Sequence, residues 1–219
     1  MATIIPSVLA LTQPDFLRRF HHLLPIADEL QIDIMDGKFV ETTSITIEEM
    51  PSLRQWPAKR FEAHLMVEHP AEWIVPIMRK GFRRIIFHIE PIDTHMARGI
   101  IEYCHKYHVA ALPALNPETP ISRVRPLLDI ADGVLLMGVH PGHNGARYIP
   151  QASRVRELRK YWKGEIEIDG GMTPETIGEV VSAGVTRVAS GSFVSNAFSP
   201  LQAIQQLERA SKVTIKKRT

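Results

Sequence analysis

The chain has 219 residues, of which 44% are apolar and 23% charged, and its formal net charge is +2. This length and apolar content suffice for one large hydrophobic core, and the near balance of charge argues against a nucleic-acid-binding surface. The single cysteine, Cys104, excludes an intramolecular disulfide, and no apolar run approaches the roughly 18 residues of a membrane span. We therefore expect a soluble, unprocessed protein of a reducing cytoplasm, with neither nucleic acid nor membrane as a partner.

Short β-rich runs alternate with longer amphipathic stretches along the whole chain. The predicted strands are, in chain order, Ile4–Ser7, Glu29–Ile34, Arg60–Met66, Arg84–His88, Ala110–Ala114, Gly133–Met137, Glu165–Asp169 and Arg187–Ser190. The predicted helices between them include Phe16–Leu24, Ala71–Lys80, His95–Tyr107, Ile121–Leu128, Ala152–Trp162 and Pro174–Ala183. Capping signals support these boundaries, because Thr173 precedes Pro174 at one helix start and Gly184 follows that helix.

Eight strand–helix pairs without a linker between them are typical of a parallel sheet built from βα units. We predict a single (β/α)₈ TIM barrel over residues 1–219, in which residues 212–219 form a basic C-terminal tail. A doubly wound open sheet is the alternative for the same alternation.

Three polar residues lie near the ends of predicted strands in otherwise apolar surroundings: Asp33, His64 and Asp169. Burying such a side chain is costly unless it is paired, ligated to a metal or used in chemistry. In a TIM barrel the carboxyl ends of the strands gather at one face, which holds the active site. Two carboxylates and an imidazole at that face predict a site that binds a divalent cation and transfers protons.

Glycine-rich segments follow the last three predicted strands. They are Gly142–Gly145, which includes His143 and Asn144, the pair Gly170 and Gly171, and the pair Gly191 and Ser192. Glycines let backbone N–H groups approach a phosphate closely, and barrels of this class often bind phosphate after strands seven and eight. The placement of these segments beside Asp169 predicts a phosphate-binding site.

Three methionines, Met35, Met66 and Met137, lie near strand ends beside the polar residues. They would form an apolar wall around the reacting centre, although filling of the core explains them equally well. His88 ends the fourth predicted strand at the same face, and both contact with substrate and a structural role in a loop remain open for it.

The order of short motifs resembles the ribulose-phosphate 3-epimerase family, whose members are (β/α)₈ barrels of the pentose phosphate pathway. The motifs are Pro6-Ser-Val-Leu9, Asp33-Ile-Met-Asp-Gly37, His64-Leu-Met66, Asn116-Pro-Glu-Thr-Pro120, Val139-His-Pro-Gly142, Ile168-Asp-Gly-Gly171 and Ser190-Gly-Ser192. They occur in order over nearly the whole chain. The combination of Asp33-Ile-Met-Asp-Gly37 with the later His64-Leu-Met66 and Asp169-Gly-Gly171 is specific for the family.

The resemblance implies interconversion of D-ribulose 5-phosphate and D-xylulose 5-phosphate through an enediolate, in which Asp33 and Asp169 transfer protons at C3. It also implies a divalent metal (Zn, Mn, Fe, Co or Mg) on Asp33, His64 and Asp169, and a homo-oligomer. The substrate and its phosphate would contact residues that the family motifs match: Ser7, His64, Gly142, His143, Asn144, Gly145, Gly170, Gly171, Gly191 and Ser192.

The chain departs from the family pattern at three places. Gln31 stands where the family usually has a histidine that completes a four-ligand metal site, so we expect metal binding to be weakened or lost. In the latter case the Gln31 amide would itself donate to the enediolate. The loops Gly142-His-Asn-Gly-Ala-Arg147 and Glu41-Thr-Thr-Ser-Ile-Thr46 differ as well, which leaves the identity of the sugar open.

Three alternative functions are open. A 3-epimerase of a related ketose phosphate, such as allulose 6-phosphate, keeps the same chemistry. A sugar-phosphate decarboxylase of the same superfamily would be expected to have a lysine between paired aspartates, whereas here Lys38 lies beyond Gly37. A noncatalytic phosphosugar-binding protein would have lost an acid or base, whereas Asp33 and Asp169 are both present.

Overall fold

The computed structural model describes residues 2–142 and 145–216, with backbone only for residues 213–216. Its strands are β1 (Thr3–Val8), β2 (Glu29–Met35), β3 (Arg60–Met66), β4 (Arg84–His88), β5 (Ala110–Leu115), β6 (Gly133–Met137), β7 (Glu165–Asp169) and β8 (Arg187–Ser190). Neighbouring strands pair in parallel in chain order, and β8 pairs with β1 to close the barrel. The predicted (β/α)₈ barrel is confirmed, and the open-sheet alternative is wrong.

The helices are α1 (Gln13–Leu23), α2 (Pro70–Lys80), α3 (Thr94–Lys106), α4 (Ala152–Tyr161), α5 (Ile177–Ala183), α6 (Ser192–Ser195) and α7 (Pro200–Lys216). Cys104 is buried in α3, as expected for a structural thiol. Among the described residues, no helix combines the length and apolar content needed to cross a membrane.

Several helices differ from the prediction in type, in start or in being missed. Residues 121–128 form two short 3₁₀ turns, because the second contains Pro126, which has no N–H to continue an α-helix. Helix α5 starts at Ile177, and the residues from Pro174 form a turn before it, in which the Thr173 carbonyl accepts from the N–H groups of Thr176 and Ile177. Helix α7 was not predicted, and it includes residues 212–216 of the predicted tail.

The period of two along each strand separates an outer apolar layer from a largely polar barrel interior. On β2, Leu30, Ile32 and Ile34 belong to the large core cluster beneath the helices, and the alternate residues Gln31 and Asp33 point into the barrel. The same alternation places Glu62, His64 and Met66 of β3 inside. The buried polar residues of β2 and β3 thus lie on the strand faces that point into the barrel.

Buried charges fill the amino-terminal end of the barrel interior. The Arg187 guanidinium contacts Glu29 (2.6 Å), Glu62 (2.9 Å) and Glu167 (3.1 Å), and Arg84 contacts Glu62, Glu165 and Glu167. We call these six side chains the ionic layer. Above it, an apolar cluster that includes Ile86, Leu112 and Leu135 fills one side of the barrel below the carboxyl-terminal face.

Candidate active site

Strands β2, β3 and β7 bring Asp33, His64 and Asp169 together at the carboxyl-terminal face. Asp33 and His64 are direct partners in the β2–β3 register. The His64 Nδ1 atom lies 3.2 Å from Asp33 Oδ1 and 3.2 Å from Asp169 Oδ2. All three side chains are buried, and one potential ligand atom from each lies within 4.8 Å of the other two. The three residues singled out by their positions at strand ends therefore form one cluster.

Gln31 joins this cluster by bridging the two carboxylates. Its Nε2 donates to Asp33 Oδ1 at 2.9 Å and to Asp169 Oδ2 at 2.8 Å. Its Oε1 is buried and has no hydrogen-bond partner among the described residues. A buried acceptor without a partner is costly, so the amide orientation is set by the two carboxylates and not by the surroundings of its oxygen.

The pKa values of the two carboxylates are shifted in opposite directions. Burial raises the pKa of Asp33, and the charge of Asp169 raises it further, so it lies above its usual range although His64 and Gln31 donate to it. Burial also opposes ionisation of Asp169, yet its pKa lies below the usual range because His64, Gln31 and the N–H of Gly170 donate to it. Asp33 is therefore the carboxylate that more readily carries a proton.

His64 is positively charged when no metal is present. Burial alone would lower its pKa, but hydrogen bonds and charge from Asp169 and Asp33 raise it to about 10. A bare Nδ1 lone pair facing two carboxylate oxygens would be repelled, so this position requires a proton or a metal cation. Two oxygens and one imidazole nitrogen are ligands that divalent transition metals accept, and the residues present thus fit a three-ligand cation site.

His88 and Glu90 extend the cluster into the protein. The Nε2 atoms of His64 and His88 lie 3.0 Å apart, and His88 Nδ1 lies 3.1 Å from Glu90 Oε2. His88 is fully buried behind His64 and is not part of the cavity wall, so it is placed away from direct contact with a substrate. Sequence analysis did not select Glu90; the spacing His88-Ile-Glu90 at a strand end is the signal that could have identified it.

A cavity above the cluster brings most of the predicted site residues together. Of those residues, the cavity is lined by Ser7, Asp33, Met66, Met137, Gly142, Gly145, Asp169, Gly170, Gly171, Gly191 and Ser192. Met35 lies outside this wall and packs against Val40 and Met66, which is the core-filling role left open for it. Gln31 and His64 lie beneath the wall, and His143 and Asn144 are outside the described residues. The wall also contains residues that the sequence did not identify, such as Leu9, Val139, Thr173 and Phe193.

The glycines after β7 are required by the close approach of other groups. Gly170 has φ +96°, and a Cβ there would lie 2.4 Å from Val139 Cγ2. Gly171 has φ +71°, and a Cβ there would lie 2.7 Å from Tyr148 Cβ. A side chain at either position would be strained and would clash. Gly191 then precedes the short helix α6 at the end of β8, so the backbone itself forms this side of the cavity.

A larger cavity of about 520 Å³ lies outside the barrel and is a separate feature. It is lined by aromatic and basic side chains, among them Trp56, Arg79, Arg83 and Tyr107, and no carboxylate is among its described lining residues. It therefore lacks the acid and base groups that the cavity at the carboxyl-terminal face contains.

Comparisons with known proteins identify the family of the chain. The model of the "Ribulose-phosphate 3 epimerase family" matches residues 3–195. A ribulose-phosphate 3-epimerase of Mycobacterium tuberculosis is 34% identical over 214 residues, which cover 94% of this chain and 91% of that protein. The cytoplasmic isoform from Oryza sativa subsp. japonica is 32% identical over 215 residues, which cover 95% and 94%.

Solved structures support the fold at much lower sequence identity. A 3-hexulose-6-phosphate synthase from Salmonella typhimurium superposes with a TM-score of 0.73 and 15% identity, covering 97% of this chain and 99% of that chain. This likeness concerns the barrel alone. The family match over most of the chain, together with the converging aspartates and histidine, confirms the resemblance found in the motifs: the chain belongs to the ribulose-phosphate 3-epimerase family.

Proposed function

We propose that the protein interconverts D-ribulose 5-phosphate and D-xylulose 5-phosphate by two-base proton transfer at C3. The observation that supports this most directly is the position of two carboxylates. Asp33 of β2 and Asp169 of β7 are both buried, and both line the same cavity. Inversion at a carbon next to a carbonyl needs a base on one face and an acid on the other, and this pair supplies both.

The opposite pKa directions of the two carboxylates assign their starting states in the metal-free protein. Asp169, with the lowered pKa, is ionised and takes the C3 proton, which leaves an enediolate. Asp33, with the raised pKa, gives its proton to the opposite face of C3. Asp33 is then ionised and Asp169 protonated, so the same residues exchange roles in the reverse direction, and solvent exchange resets them.

A divalent cation fits the position that Asp33, His64 and Asp169 surround. Such an ion supplies positive charge that stabilises the developing enediolate. Gln31 would become a fourth ligand only if its amide turned to present the unpartnered Oε1. Because an amide oxygen is a poorer partner than imidazole for Zn²⁺ or Fe²⁺, we propose that this chain binds its metal more weakly than family members with a histidine.

The glycine-rich wall is the proposed phosphate site. Gly170, Gly171, Gly191 and Ser192 border the cavity with exposed backbone, and their position at the ends of β7 and β8 is where barrels bind substrate phosphates. Ser7 lies on the same wall. Bound in this way, the phosphate would hold C3 of the sugar between the two carboxylates.

The test is proton NMR of D-ribulose 5-phosphate in D₂O, with and without added Mn²⁺ or Zn²⁺. We expect deuterium at C3 together with formation of D-xylulose 5-phosphate by the parent protein. The variants Asp33→Asn and Asp169→Asn should each lose interconversion, because each lacks one of the two bases. Interconversion at the parent rate by either variant would refute the two-base assignment. Turnover of allulose 6-phosphate but not of D-ribulose 5-phosphate would mean that the substrate is the related ketose phosphate.

Metal content and assembly complete the proposal. Metal analysis of protein purified without chelator should find a divalent ion, whereas full activity in metal-free protein would instead favour direct donation by Gln31 to the enediolate.

We further expect a homo-oligomer in the cytoplasm. Exposed apolar side chains on α2 and α3, including Val75, Met96 and Tyr103, support an interface between subunits.

A further inference from the structure

We propose that Glu90 and His88 are positioning residues that fix the tautomer of His64, so that the His64 Nδ1 lone pair faces the proposed cation position. The contacts form one line from Glu90 Oε2 to His88 Nδ1 (3.1 Å), and from His88 Nε2 to His64 Nε2 (3.0 Å). The inference rests on the proposed cation site, but neither Glu90 nor His88 lines the cavity.

Glu90 sets the direction of the hydrogen bonds. Its Oε1 accepts from the N–H of Asn116 at 2.7 Å and from the Thr119 hydroxyl at 2.5 Å. A carboxylate held by two donors on one oxygen offers only an acceptor on the other. His88 must therefore carry a proton on Nδ1 to donate to Glu90 Oε2.

The second step transmits this choice to His64. With its proton on Nδ1, neutral His88 presents a lone pair on Nε2, so His64 Nε2 must be the donor across the 3.0 Å contact. With the His88 proton fixed on Nδ1, an unprotonated His64 Nε2 would place two lone pairs against each other. Both rings are fully buried, and Phe39 packs over His88 with 4.8 Å between ring centroids, so little room is left for another arrangement.

These two hydrogen bonds determine which nitrogen of His64 can bind a metal ion. Because the proton of neutral His64 is held on Nε2, its Nδ1 is the atom left to accept a metal ion between Asp33 and Asp169. Groups outside the coordination sphere commonly set histidine tautomers in this way. Here the Glu90 carboxylate fixes the tautomer of His88, and His88 in turn fixes the tautomer of His64.

The deciding variant is Glu90→Gln, which keeps the shape and exchanges one acceptor for a donor. The Asn116 N–H and the Thr119 hydroxyl still require the carbonyl oxygen, so the new amide turns its N–H₂ toward His88. The His88 proton then moves to Nε2, and His64 is driven to carry its proton on Nδ1. Thr119→Val is the matched control, since it removes one hydrogen bond to Glu90 but leaves a carboxylate facing His88.

Two measurements read the result without using activity. Proton–nitrogen NMR of the ring nitrogens should place the His88 proton on Nδ1 in the parent and in Thr119→Val, and on Nε2 in Glu90→Gln. Equilibrium dialysis with Mn²⁺ should give binding at least about tenfold weaker in Glu90→Gln, and within about threefold of the parent in Thr119→Val.

The parent spectrum alone can overturn the inference, whether or not the variants fold. A His88 proton on Nε2 in the parent would do so, as would Mn²⁺ binding by Glu90→Gln within threefold of the parent. A parent that binds no Mn²⁺ would also overturn it. A parent that binds Mn²⁺ with the expected tautomer but leaves the sugar phosphates unchanged would instead refute only the proposed reaction.

Discussion

Replacing Gln31 by leucine removes the two hydrogen bonds by which its amide joins Asp33 and Asp169, and so measures their contribution to stability. The side chains have similar volumes, but leucine cannot donate to Asp33 at 2.9 Å or to Asp169 at 2.8 Å. In metal-free protein, the two carboxylates would then rely on His64 alone for stabilisation near their facing oxygens.

The expected cost follows from the contacts that are lost and gained. A hydrogen bond to the ionised Asp169 contributes about 1.5–3 kcal/mol and one to the protonated Asp33 about 0.5–1.5 kcal/mol, so the loss of both costs about 2–4.5 kcal/mol. Removing the unpartnered Oε1 of Gln31 recovers about 1–3 kcal/mol, since a buried acceptor no longer lacks a partner. From the middle of each range, we expect Gln31→Leu to lower the free energy of unfolding by about 1 kcal/mol at pH 7.

Urea unfolding in the presence of a chelator measures this difference. The control is Gln13→Leu, because Gln13 is exposed and donates only to the Glu49 carbonyl, and its effect should stay within about 0.5 kcal/mol. The Gln31→Leu deficit should shrink in acid, where protonation of Asp169 weakens the hydrogen bond that Gln31 donates to it in the parent. A Gln31→Leu protein as stable as the parent at pH 7 would refute the reasoning, since the bridge would then contribute nothing.

Four further predictions concern the metal, the buried charges, the glycine wall and pH. Gln31→His should tighten Zn²⁺ binding in a chelator competition, because imidazole replaces an amide; unchanged binding would mean that residue 31 does not reach the ion. Arg187→Met should lower the free energy of unfolding in urea by about 3–5 kcal/mol, because the buried Glu62 and Glu167 and the half-buried Glu29 lose a partner; a loss below about 1 kcal/mol would contradict this. Gly170→Ala should destabilise the protein, whereas Gly99→Ala, where a Cβ would meet no atom within 4 Å, should stabilise its helix by about 0.5–1 kcal/mol in the same assay. The pKa of His64 is raised to about 10, so its contribution to metal-free stability is complete below about pH 6.5 and is lost as pH rises toward 10; urea unfolding in chelator should show a decline of up to about 1.4 kcal/mol per pH unit that His64→Asn lacks.

The barrel could be predicted from the sequence because its signals are local. Each strand is a short β-rich run, and each predicted α-helix that the structure confirms has its own apolar stripe. The prediction failed at residues 121–128, where an apolar pattern suggested a helix but Pro126 removes a necessary N–H. The strand-end rule then placed Asp33, His64 and Asp169 at one face without any knowledge of distances.

The finer arrangement of the site depends on contacts between distant parts of the chain. Gln31 was recognised as a replaced ligand, but its hydrogen bond to Asp169 joins residues 138 positions apart and leaves no local pattern. His88 was left between two roles because the direction of its ring, toward His64 and away from the cavity, follows from packing. The ionic layer was missed for the same reason, since Glu62 and Arg187 at strand starts look like exposed residues in sequence.

The ionic layer also determines how the barrel can assemble. Each of its arginines pairs across the chain: Arg187 of the last strand reaches Glu29 and Glu62 near the beginning, and Arg84 of the first half reaches Glu165 and Glu167. A half-barrel that lacks β8 would hold Glu62 beside Arg84 but without Arg187, and Glu29 without Arg187, so part of its buried charge would miss a partner, which is unfavourable. Closure by β8 therefore brings the second of two arginines to the four glutamates of the layer, and this shared dependence on Arg187 couples the first strands to the last one during folding.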